Sequence, residues 1–142
     1  MATVFSRIID GDLPGTFVWR DDDSVAFLSI NPVQPGHLLV VPRAEVDHWI
    51  DLETPLACHL MAVAQTLARA VQRVYEPLKV GLLVAGLEVP HTHLHVIPIM
   101  HGEADLHLDR ASVASPDALE VEVEAVRIRA ALREAGADGV SE

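Results

Sequence analysis

Hydrophobic and polar positions change rhythm several times along the chain. Val4–Ile9 has a short apolar spacing that suits one helical turn, and Gly11-Asp-Leu-Pro-Gly15 supplies turn chemistry. Phe17–Arg20 and Val25–Ile30 read as strands around Asp21-Asp22-Asp23, a solvated hairpin turn. Asn31–Gly36, with two prolines and a glycine, reads as a loop, and His37–Val41 as an apolar strand closed by Pro42. The clearest helix starts at Thr54, a suitable N-cap, with Pro55 at the first helical position. Leu56, Leu60, Val63, Leu67, Val71 and Val74 give it one apolar stripe, and Pro77 ends it. Val80–Val84 then reads as a strand, Ala85-Gly86 as a turn and Thr92–Met100 as a strand. A polar stretch, 101–115, leads to a last helix at about 116–134 and a loose tail from Gly136.

Strands in runs, rather than in strict alternation with helices, predict an α+β fold. Its antiparallel sheet has about five strands, accompanied by one long helix and a C-terminal helix. The length of 142 residues suits one domain with a real core.

Composition narrows the functions available. The formal charge is −11, and the ten basic residues are scattered. Nucleic acid and anionic membranes are therefore not expected partners, although a small phosphorylated ligand is compatible with local N–H groups and imidazolium. No apolar run approaches the ~20 residues needed to span a bilayer. The start shows no secretory-signal pattern, so a cytoplasmic location is expected. The single cysteine, Cys58, allows no intramolecular disulfide and reads as a packed or surface thiol.

Candidate chemistry concentrates in Pro90-His-Thr-His-Leu-His-Val-Ile-Pro98. On a strand, His91, His93 and His95 share one face, roughly 6–7 Å apart, while Leu94 and Val96 enter the core. Such a row suits nucleophilic attack on phosphorus by a neutral imidazole, with its neighbours orienting it or transferring protons. It also suits a metal centre, with Glu103, Asp105 or His107 as a further ligand. Spacing leaves both readings open.

These residues resemble the histidine triad family, whose pattern is His-x-His-x-His followed by hydrophobic residues. The resemblance extends to Val4–Pro14, Val25–Pro32, Pro35–Pro42 and the turn at Gly86–Val89, so it covers about the first hundred residues. Residues 101–142 form a divergent segment of the same domain. The resemblance implies a homodimer joined through a continuous sheet, and hydrolase or transferase chemistry at the α-phosphorus of a small nucleotide conjugate, purine preferred. His93 would be the nucleophile, His91 and His95 its catalytic neighbours, and His37 a fourth histidine near phosphate. Phe5, Ile8, Phe27 and Ile30 would line the base and ribose pocket, and Gly86 would lie in the phosphate turn. Ser29 stands where the family commonly has a ribose-binding aspartate, Leu87 where it has glutamine, and Glu88 follows. These departures motivate a second reading, a nucleotide-binding or interaction protein with little catalysis. Some relatives hold a structural zinc through an N-terminal Cys-x-x-Cys. The corresponding Thr3-Val-Phe-Ser6 has no cysteine, so neither zinc nor any other cofactor is expected.

Overall fold

Odd and even positions along the strands face different neighbours, and this alternation decides where the histidines lie. The computed structural model describes residues 2–102 and 117–142. Its elements are α1 (Val4–Ile9), β1 (Phe17–Arg20), β2 (Ser24–Leu28), β3 (Leu38–Pro42), α2 (Thr54–Tyr75), β4 (Lys79–Leu83), β5 (Leu94–Ile99) and α3 (Ala118–Glu134), with a 3-10 turn at Trp49–Asp51 before α2. The five strands form one sheet in the order β1-β2-β3-β5-β4, and every pairing is antiparallel. The expected fold class and strand number are therefore found.

One face of the sheet presents Ala26, Leu28, Leu38, Val40, Leu94 and Val96 to the buried stripes of α2 and α3. The other presents Val25, Phe27, Leu39 and Val41, which pack with Phe17 and with Phe5 of α1. Leu39 pairs with His95 and Val40 with Leu94, so the odd-numbered histidines belong to the second, α1-covered face. The long helices lie across the sheet from the chemistry.

The structure corrects several expectations. Thr54 is the first helical residue rather than the N-cap. Glu53 takes that position without a side-chain bond, and Pro55 sits one residue further in, where a missing N–H still costs nothing. The histidine strand begins at Leu94, so His91 and His93 lie in the irregular segment before it. Asp21 is not a freely solvated turn residue. It accepts hydrogen bonds from Trp19 Nε1, Ser24 Oγ, His59 Nε2 and the backbone N–H groups of Asp23 and Ser24. The tail is not loose either. Arg20 N–H donates to the Gly139 carbonyl (2.8 Å), Ser141 N–H donates to the Val18 carbonyl (3.1 Å), and Gly139 lies against the Trp19 ring. That pairing covers the outer edge of β1, whose unpaired backbone groups would otherwise face water. Buried Arg129 of α3 adds two N–H donors to the Phe17 carbonyl. Glu103, Asp105 and His107 lie outside the described residues.

Candidate active site

Four histidines converge where β3 and β5 run side by side. His93 and His95 have ring centroids 4.8 Å apart, and His95 and His37 5.1 Å. Phe5 of α1 meets His93 edge-on at 4.9 Å and His91 at 5.9 Å. The sheet thus places the histidines, and α1 supplies an apolar wall beside them.

Hydrogen-bond partners fix the protons. His93 Nδ1 lies 2.7 Å from the His91 carbonyl. A carbonyl only accepts, so Nδ1 carries the hydrogen and Nε2 keeps its lone pair. Val33 N–H donates to His37 Nδ1 (3.1 Å), which leaves the hydrogen of neutral His37 on Nε2. That nitrogen lies 2.9 Å from His95 Nδ1, which must accept, so His95 carries its hydrogen on Nε2. One ring therefore offers a lone pair and its neighbour an N–H donor. Both nitrogens of His91 are committed, Nδ1 to Thr3 Oγ1 and Nε2 to the Pro42 carbonyl, each at 2.8 Å.

Electrostatics keep the rings neutral. Burial, then the nearby His93, lowers His37 to about 4. Burial, then His93 and His37, lowers His95 to about 3. Burial also holds His93 below the usual imidazole value, against the opposing pull of its bond to the His91 carbonyl and of the Glu88 carboxylate.

The other residues singled out from sequence divide into two groups. Phe5, Ile8 and Phe27 come together in the apolar cluster beside the histidines, and His37 joins them directly. Ile30 does not join that cluster; it is 73 % exposed in the turn after β2. Ser29 donates its N–H to the His37 carbonyl (2.9 Å), while its Oγ accepts from Asn31 N–H (3.2 Å). Gly86 takes φ +72 beside the Asp47 main chain, in the loop leading to His91. Thr3, Ser6 and Glu45, not expected at the site from sequence, reach His91 through a chain of hydrogen bonds. The [Ser/Thr]-x-x-[Ser/Thr] spacing opening α1 was the available signal.

Among the described residues, the donor set does not fit a zinc ion. Of the eight imidazole nitrogens, only His93 Nε2 and His95 Nε2 lack a partner already named, and two ligands do not make a protein-held zinc site. At the N-terminus, two neutral hydroxyls stand where cysteine thiolates would be needed. Asp21, Asp23 and His59 bring three ligand atoms within 4.8 Å, but the Asp21 oxygens already accept five donors.

The fold and histidine geometry define a histidine triad protein, and comparison with known proteins agrees. The family model described as HIT domain matches residues 10–102. Protein hit of Bacillus subtilis is 34% identical over 107 residues, covering 72% of this chain and 73% of that protein. Adenosine 5'-monophosphoramidase of Saccharomyces cerevisiae is 32% identical, covering 68% of this chain and 62% of that one. The AP-4-A phosphorylase of Mycobacterium tuberculosis strain H37Rv is 34% identical, covering 66% and 51%. Among solved structures, a Zn-bound histidine triad family protein from Mycobacterium smegmatis superposes with a TM-score of 0.80 at 28% identity, covering 96% of both chains. This chain belongs to the HIT domain family. No helix among its described residues is long and apolar enough to cross a membrane.

Proposed function

We propose that the protein is a hydrolase or transferase of small nucleotide conjugates, such as phosphoramidates, adenylates or dinucleotides, acting through a nucleotidyl-histidine on His93. The observation that carries this reading is the protonation pattern: a neutral His93 with its lone pair on Nε2, beside a His95 that offers Nε2–H. His93 Nε2 attacks the α-phosphorus, and the P–N bond forms as the bond to the leaving group breaks. His95 donates to a non-bridging oxygen as charge gathers there. Water then attacks the same phosphorus; the new P–O bond forms as the P–Nε2 bond breaks, the water proton passes to solvent, and the nucleoside monophosphate leaves with neutral His93 restored. Phe5, Ile8 and Phe27 offer the base an apolar wall, with purine preferred for its larger face. Ile30, Ser29 and Gly86 complete the nucleotide site from the flanking turns. The relatives named as a phosphoramidase and a phosphorylase support this class of chemistry.

The protein acts as a homodimer in this reading. The outer edge of β1 is covered by the tail, so among the described residues β4 is the edge strand without a neighbour and is the one offered to a second copy. Leu78, Leu82 and Leu83 are exposed there, and Met61, Ala64, Val80 and Leu82 line an apolar groove on the face opposite the histidines.

A second reading, binding with little turnover, draws on Leu87, which is 92 % exposed and offers no hydrogen bond, and on a Ser29 hydroxyl already engaged with its own turn. Incubation with adenosine phosphoramidate separates the two. The enzyme reading expects AMP release by the wild type and none by His93→Ala. Calorimetric AMP binding without hydrolysis of any conjugate selects the second.

A further inference from the structure

His91 is fully buried and has no nitrogen to spare for a substrate. Nε2 faces the Pro42 carbonyl, an acceptor only, so Nε2 bears the hydrogen and Nδ1 accepts. The hydrogen Nδ1 accepts comes from the Thr3 hydroxyl at 2.8 Å. Thr3 is itself held on three sides. Its oxygen accepts from Ser6 N–H (3.1 Å) as the N-cap of α1, and its own N–H donates to Glu45 Oε1 (2.7 Å). Ser6 Oγ donates to the same Glu45 oxygen (2.7 Å). These two bonds also hold the Glu45 carboxyl below its ordinary value. The Thr3 hydroxyl also lies 3.2 Å from Ser6 Oγ, but the shorter contact is to His91 Nδ1, and the chain ends on the ring whose main-chain carbonyl takes the His93 proton.

The geometry points to Thr3, braced by Ser6 and Glu45, as a positioning residue that locks His91 and, through the His91 carbonyl, the His93 ring. This rests on the reading of His93 as the nucleophile, and it narrows the sequence expectation for His91, a neighbour that orients the nucleophile or transfers protons, to orientation. The arrangement has a physical purpose. The His93 lone pair stays on Nε2 only while an acceptor stays in line with Nδ1. A carbonyl belonging to a residue clamped at both ring nitrogens moves little. The same clamp fixes the start of α1, which carries Phe5 against His91 and His93. An N-cap alone accounts for the Thr3–Ser6 bond but not for the bonds to Glu45 and His91.

The test combines kinetics with nitrogen-15 NMR of the histidines. Thr3→Val removes the hydroxyl at nearly constant volume. It is expected to shift the His91 Nδ1 resonance, speed exchange of the His93 Nδ1 proton, and lower kcat about ten-fold with KM changed less than two-fold. Thr3→Ser keeps the hydroxyl and is expected to stay within two-fold of wild type on every readout. Glu45→Ala, at an exposed position the fold can lose, moves the same readouts in the same direction with kcat down about three-fold. An unchanged His93 Nδ1 proton and unchanged kcat in Thr3→Val overturn the proposal, as does failure of Thr3→Ser to restore them. If the wild type turns over no nucleotide conjugate, the functional reading fails, while the NMR readouts still decide whether Thr3 locks His91.

Discussion

His37 couples two measurable effects, and two substitutions pull them apart. Its Nδ1 accepts from the buried Val33 N–H, and its Nε2–H sets the tautomer of His95. His37→Ala removes both bonds. An unpaired buried N–H costs about 1–3 kcal/mol, and lost ring packing brings the expected destabilisation to roughly 2–4 kcal/mol. His37→Asn places an amide oxygen near the former Nδ1, so the Val33 bond survives and the expected loss is only about 1 kcal/mol. Neither variant donates to His95. That bond is worth about 1 kcal/mol, so kcat is expected to fall roughly five-fold in both. Acidity adds a second signature. Burial holds folded His37 near pH 4, below its unfolded value, so the unfolded chain takes the proton first as pH falls. Stability is unaffected above about pH 6.5 and is lost between there and pH 4, by up to about 3 kcal/mol. His37→Asn lacks that loss, so its stability gap to wild type should close or invert by about pH 4.5. Urea unfolding at pH 7.5 and 4.5, with kcat measured on the same preparations, checks all of this. Wild-type kcat in His37→Asn, or parallel pH–stability curves for it and wild type, would rule out this role for His37.

Three further outcomes follow from the same geometry. Asp21 feels burial, which raises its pKa, but bonds from Trp19, Asp23 N–H, His59 and Ser24 outweigh it and hold it at about 2. Its stabilisation is therefore present above about pH 4 and lost toward pH 2, and Asp21→Asn should cost about 1–2 kcal/mol at pH 7, discounted for a surface turn, and almost nothing at pH 2 in urea titrations. Gly36 has φ +89 with the Tyr75 ring where a Cβ would go, so Gly36→Ala should lower Tm by several degrees in calorimetry. In the proposed homodimer, Leu82→Asp on β4 should shift sedimentation from dimer to monomer without unfolding the chain.

Much of the fold was legible because apolar periodicity and burial agree. The stripe from Leu60 to Val71 is the buried face of α2, and alternation in β2, β3 and β5 puts the odd-numbered residues on the histidine face. The tail was not legible. Gly139 and Ser141 carry no apolar signal, and their order comes from pairing with β1, a contact distant in sequence. At the site, the histidines and Phe5 were readable as residue types, but their protons were not. Those are decided by main-chain groups at Val33, Pro42 and His91, which every sequence has and no pattern marks. Glu45 was invisible for a related reason, since an exposed acid in a loop looks like any other until its partners are known.

In the proposed reaction, His93 Nε2 forms a bond to phosphorus. Mixing enzyme in excess with an adenosine phosphoramidate, quenching in alkali within the first turnover and measuring intact mass tests it most directly. The expected result is one adenylate added to the wild-type chain, mapped to His93 and absent from His93→Ala. Rapid AMP release from substrate with no adduct at any quench time, or an adduct on another residue, contradicts it.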